Sequence, residues 1–132
     1  MNIIILGAGR VGESVAESLV SEKNDITVID TNPQRLRELE DRLDLRGVPG
    51  NGIQPSVLEA AGARDADMLI ACAPLDETNL VCCKVAHDVF NIPTTIARIR
   101  SPEFPNDGPL MSNEGFAVDQ VVRVESLVGS DD

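Results

Sequence analysis

Four apolar residues, Ile3 to Leu6, run directly into Gly7, Gly9 and Gly12, and a helix-like run begins at Arg10. No other stretch constrains the fold as much. A solid apolar run of this length suits a central parallel strand buried on both faces. Glycines at this spacing, between a strand and a helix inside a βαβ unit of about thirty residues, form a phosphate-binding turn. Gly7 makes the tight turn, Gly9 lets backbone approach phosphate, and Gly12 lets the helix pack close to the strand. The helix N-terminus then offers N–H groups and partial positive charge to an anion. The backbone cradle is predicted to run from Gly7 through Ala8, Gly9, Arg10 and Val11 to Gly12.

The rest of the chain alternates strand and helix patterns. Arg10 to Ser21 reads as a helix with Val11, Val15 and Leu19 on one face. Ile26 to Ile29 is a second strand ending at Asp30. Asn32 and Pro33 suit the N-cap and N1 positions of a second helix, with Leu36, Leu39 and Leu43 as its core stripe. Leu45 to Val48 is a third strand, followed by the turn Pro49 to Gly52. Pro55 to Ala61 is a short helix closed by Gly62. Met68 to Cys72 is a fourth strand, stopped by Ala73 and Pro74. Asp76 is expected to cap a helix through Phe90. Thr94 to Ile99 is a fifth strand. Ser101 and Pro102 start a helix-like segment broken around Pro105 to Pro109, and Phe116 to Val122 is a final edge strand. This alternation implies a doubly wound α/β Rossmann fold, with a six-stranded, mostly parallel sheet in the order 3-2-1-4-5-6 and helices on both faces. A single domain is expected over 1–128, with a polar tail at 129–132.

Asp30 completes the fingerprint, eighteen residues after Gly12. An acid there accepts hydrogen bonds from ribose hydroxyls and repels a 2′-phosphate, which favours NAD over NADP; Thr31 follows it at the site. These signals read only an adenosine ribose and a phosphate chain. NAD, NADH, ATP and ADP share that half, so the fingerprint leaves them open. The topology puts adenine near Gly50, Asn51 and Gly52, and the ribose–phosphate stretch past Cys72, Ala73 and Pro74. Arg10 opens the phosphate-facing helix, where a cation opposes the helix dipole unless an anion is nearby. Arg98 and Arg100 alternate with Ile99 and share one face, and an arginine fork suits phosphate oxygens.

Composition narrows the function. The chain has 132 residues, 42% of them hydrophobic, which suits one compact domain and leaves no room for an ordinary substrate domain. Its 22 acidic and 11 basic residues give a net charge of −11, which disfavours nucleic acid and anionic lipid as partners. No apolar run approaches the ~20 residues of a membrane helix. Cys72, Cys82 and Cys83 form no CxxC pair and read as buried, reduced thiols of a cytoplasmic protein. His87, the only histidine, falls in the polar stripe of a helix. There is no metal-ligand spacing, no GxSxG elbow and no Walker A lysine. Nothing supplies a proton relay, so catalysis is not expected. The alternative is the cofactor-binding domain of an NAD-dependent dehydrogenase. The Asp76–Phe90 helix carries an apolar surplus that is a candidate dimer surface.

The segments IIILGAGRVG, DITVIDTN, VLEAAGARDADMLIA, DETN and IARIRSPEF resemble the KTN (RCK) family, the nucleotide-binding domains of Trk-type potassium-uptake regulators. The resemblance runs from Met1 to about Leu127, and ARDADMLIACAPLDETN is its most specific part. It implies a non-catalytic, cytoplasmic subunit, peripheral on the inner membrane face through a potassium-transporting membrane subunit, without direct membrane insertion. It implies NAD or NADH, or ATP or ADP, bound at one site, and a homodimer or higher ring. By position, Gly7, Gly9, Gly12 and Asp30 match nucleotide-binding residues. Arg10 matches an arginine that reaches the terminal phosphate of ATP in related domains. Family members carry a further small C-terminal domain.

Overall fold

A computed structural model describes residues 1–123. The expected domain limit at 128, the tail at 129–132 and the last residues of the family resemblance lie outside the described residues. Six strands form one sheet: β1 (Asn2–Leu6), β2 (Asp25–Asp30), β3 (Arg46–Pro49), β4 (Met68–Ala71), β5 (Thr94–Arg98) and β6 (Gln120–Val122). Their order is β3-β2-β1-β4-β5-β6, as the alternation predicts. All five pairings are parallel, so the sheet is wholly rather than mostly so.

The sheet splits the core in two, and β1 shows how. Ile3 and Ile5 point to one side, where α1 (Arg10–Val20) and α2 (Pro33–Arg42) cover them with Ala16, Leu36 and Leu39. Ile4 and Leu6 point to the other, against Leu58 of α3 (Pro55–Ala60) and Leu80, Cys83 and Ala86 of α4 (Asp76–Phe90). Period-2 alternation into two apolar layers is why β1 reads as an unbroken apolar run. Asn32 caps α2 as expected, its side chain accepting from Gln34 N and Arg35 N. Gly62 follows α3 in the left-handed conformation, with φ 89°.

Three expectations are corrected. Asp76 is the first residue of α4 and not its cap; the cap position is Leu75, and the Asp76 carboxylate bonds elsewhere. The segment after Ser101 forms turns and no helix. Three prolines, at 102, 105 and 109, and Gly108 at φ 100° break any helical run there. β6 covers only Gln120–Val122, because Ala117 at φ 56° interrupts the extended backbone expected from Phe116. No described helix is long and apolar enough to cross a membrane.

Candidate functional site

The glycine loop joins β1 to α1 at the carboxyl edge of the sheet. Gly7 turns at φ 106°, donating its N–H to Ile29 O at 2.8 Å, and any Cβ there would press on the Cys72 carbonyl group. Gly9 stands at the N-cap of α1 with no side chain to cap it, so the positive end of the helix opens toward the loop. Gly12, in the first turn of α1, leaves no space for a Cβ against the Gly7 carbonyl oxygen.

Asp30 ties this loop to the neighbouring strand. Its Oδ2 accepts from Ala8 N at 2.7 Å and its Oδ1 accepts from Asn32 N at 2.8 Å. Its carbonyl oxygen accepts from Gly50 N at 3.0 Å. One residue therefore anchors the glycine loop, the start of α2 and the turn after β3. Each carboxylate oxygen keeps further lone pairs for a ribose hydroxyl.

A recess of about 300 Å³ opens beside these groups, at the lower end of the volumes that hold small ligands. Gly7, Gly9, Asp30, Thr31, Asn32 and Arg35 line it, together with Cys72 and Pro74. Sequence reasoning overlooked Arg35. It also lines a larger recess of about 730 Å³ between α1 and α2, which it shares with Gly9 and Arg10. Its guanidinium has no hydrogen bond or ion pair among the described residues. The signal was its place in the first turn of the helix after Asp30, where a cation can reach a bound anion.

The turn after β4, which brings Pro74 to the recess, is held by α4. Buried Asn79 accepts from Ala73 N at 2.8 Å and donates to Ala73 O at 2.9 Å and to Arg98 O at 2.8 Å. Asp76 accepts from Arg100 N at 2.8 Å and from Ser101 N at 2.9 Å. Arg100 Nη1 donates to Pro74 O at 3.3 Å. The expected arginine fork is divided: Arg98 is buried and Arg100 exposed. Neither lines the glycine-loop recess, and neither do Asn51 and Gly52. Asn51 is exposed and turns on itself, its Oδ1 accepting from Ile53 N at 3.2 Å. Gly52 is buried, with Leu6 where its side chain would be.

Burial pushes the Cys82 thiol up to about 12, and burial with neighbouring charge also raises Cys83. Their sulfurs face Gly52 O and Ile96 O. His87 bonds Asp88, whose carboxyl is held below its ordinary range by that bond and by Lys84.

A glycine cradle, an acid closing the second strand and a buried asparagine at the head of α4 now stand together. Residues 3–123 match the TrkA-N domain. The chain belongs to the TrkA-N domain family. It is 52% identical over 131 residues to the Trk system potassium uptake protein TrkA of Vibrio alginolyticus, covering 98% of this chain and 29% of that relative. The TrkA-N match thus spans under a third of that longer protein. Among solved structures, the TrkA-N domain of the inner membrane protein ybaL from Escherichia coli superposes with a TM-score of 0.79 at 24% identity, covering 92% of this chain and 86% of that one. The GsuK channel bound to NAD superposes with a TM-score of 0.73 at 20% identity, covering 92% of this chain and 21% of that one. At these identities the two structures establish a shared fold for this TrkA-N chain.

Proposed function

We propose that this TrkA-N domain is a nucleotide-binding regulatory module of a potassium uptake system. It binds NAD or NADH, and ATP or ADP at the same site, and performs no catalysis. The observation that carries this reading is the recess lined together by Gly7, Gly9, Asp30 and Arg35. Backbone and side chain together offer hydrogen-bond donors for phosphate and an acceptor for ribose. The residues that line the recess include an acid, Asp30, and a cation, Arg35, and no acid–base pair set to move a proton beside a nicotinamide.

The ligand lies with its pyrophosphate over Gly7 to Gly12, including the backbone of Ala8 and Val11, and its adenosine ribose at Asp30 and Thr31. Adenine reaches toward Asn51 and Gly52. The far end passes Ala73 and Pro74 toward Arg98 and Arg100, with Arg10 on the flank. Regulation requires that ligand bind one arrangement of an assembly better than another. We assign that assembly to a homodimer or higher ring built on α4, seated on the cytoplasmic face of a potassium-transporting membrane subunit. The relative in Vibrio alginolyticus, named for potassium uptake, supports this setting.

Calorimetric titration of the chain with NAD, NADH, ATP and ADP tests the reading. Saturable one-site binding, with the ligands competing, is expected. Absence of heat with all four, or reduction of NAD with a small-molecule panel, would overturn it.

A further inference from the structure

The carboxylate of Asp76 does an unusual thing for an acid at a helix start. An aspartate in the first turn ordinarily turns back to its own helix N–H groups. Here both oxygens reach across to backbone N–H groups twenty-four and twenty-five residues away, at Arg100 and Ser101. One turn further along α4, Asn79 accepts from Ala73 N and donates to Ala73 O and Arg98 O. Arg100 Nη1 completes a ring by donating to Pro74 O at 3.3 Å. The ring fixes where the backbone leaves β5, and hence where the Arg100 guanidinium stands relative to the Ala73–Pro74 turn.

We propose that Asp76 is a positioning residue for nucleotide recognition: by holding the Arg100 backbone it aims the Arg100 guanidinium at the outer phosphate of a bound nucleotide. This rests on the nucleotide-binding function above. Arg100 is exposed, and its bond to a neutral carbonyl oxygen is weaker than one to a phosphate oxygen. A phosphate oxygen is therefore a stronger acceptor for this guanidinium than Pro74 O, and Asp76 keeps the Arg100 backbone in place. Asp76 itself lines neither recess beside the glycine loop, and its two oxygens hold the backbone of Arg100 and Ser101.

A double-mutant cycle separates positioning from plain structural support. ATP and NADH are titrated calorimetrically into the wild-type chain, Asp76→Ala, Arg100→Ala and the double variant. Each single change is expected to weaken ATP by about tenfold, the loss of one charge-assisted hydrogen bond. The double variant should be no weaker than Arg100→Ala alone. Additive losses would overturn the proposal, because they mean that Asp76 acts without Arg100. An Arg100→Ala variant that binds ATP like wild type would also overturn it while leaving the nucleotide site standing. A wild-type chain that binds neither ligand removes both conclusions. If Asp76→Ala does not fold, Asp76→Asn, which keeps the size and one acceptor, carries the same cycle.

Discussion

A Cβ placed on Gly12 would sit 1.8 Å from the carbonyl oxygen of Gly7. The first turn of α1 and the turn out of β1 are therefore in direct backbone contact. Gly12→Ala gains about 1 kcal/mol of helix propensity but must push rigid backbone apart, which costs about 1–3 kcal/mol or more. The variant should unfold at lower denaturant and lose nucleotide binding, even in conditions where it stays folded. Denaturant titration and calorimetry on the same sample check both outcomes.

Arg10 and Arg35 share the larger recess but differ in what they face. Arg35 alone of the two also lines the recess at Asp30, the ribose side that every adenine nucleotide shares. Arg10→Ala should weaken ATP by about tenfold and NADH by about twofold, because ATP carries more charge at its far end. Arg35→Gln should weaken both alike. Equal losses for Arg10→Ala would make it a bystander to ligand choice.

The valines of α4 offer a test of assembly. Val81 and Val89 are 37% and 48% exposed, on a helix whose other side is buried on the sheet. Val85 stands between them, half-buried. A paired Val81→Glu and Val89→Glu substitution should leave the thermal midpoint nearly unchanged, since neither side chain is in the core. Sedimentation should then find monomers where the parent chain self-associates. An undisturbed assembly would exclude this surface.

Alkaline pH should destabilise the domain through Cys82. Its thiol has an ordinary value of 9.0 and is pushed up to about 12 in the fold. Above pH 9 the unfolded chain releases that proton while the folded chain keeps it. Stability is complete below pH 9 and falls as pH rises toward 12. Cys82→Ala should flatten this loss, measured as the denaturation midpoint against pH. Thiol reagents should leave the buried sulfurs of Cys82 and Cys83 unmodified until the domain opens.

The order of the sheet was legible because β1 and β4 are apolar from Ile3 to Leu6 and from Met68 to Ala71, as central parallel strands are, and Gly7, Gly9 and Gly12 mark the turn that joins β1 to α1. The capping role of Asn32 was legible too, because it is local. What escaped was long-range. Asp76 has the composition of a cap, and nothing within its own helix reveals that its partners lie beyond β5. Asn79 looks like a polar residue on a helix, yet it is fully buried between two strand ends. The segment from Ser101 carries a helix-start signal. Its path is set instead by Arg123, whose guanidinium donates to Ser101 O, Phe104 O and Asn106 Oδ1. Arg35 reads as an ordinary solvated cation until the fold turns it toward the glycine loop.

The double engagement of the Asp30 carboxylate changes how experiments on it must be designed. An Asp30→Ala variant deletes the acceptor of both Ala8 N and Asn32 N along with any ribose contact. Its defect is then a sum of a collapsed doorway and a missing handshake. Asp30→Asn retains an acceptor oxygen and the side-chain size, and the comparison of the two separates architecture from recognition. The two oxygen atoms that frame the doorway are the ones proposed to greet the guest.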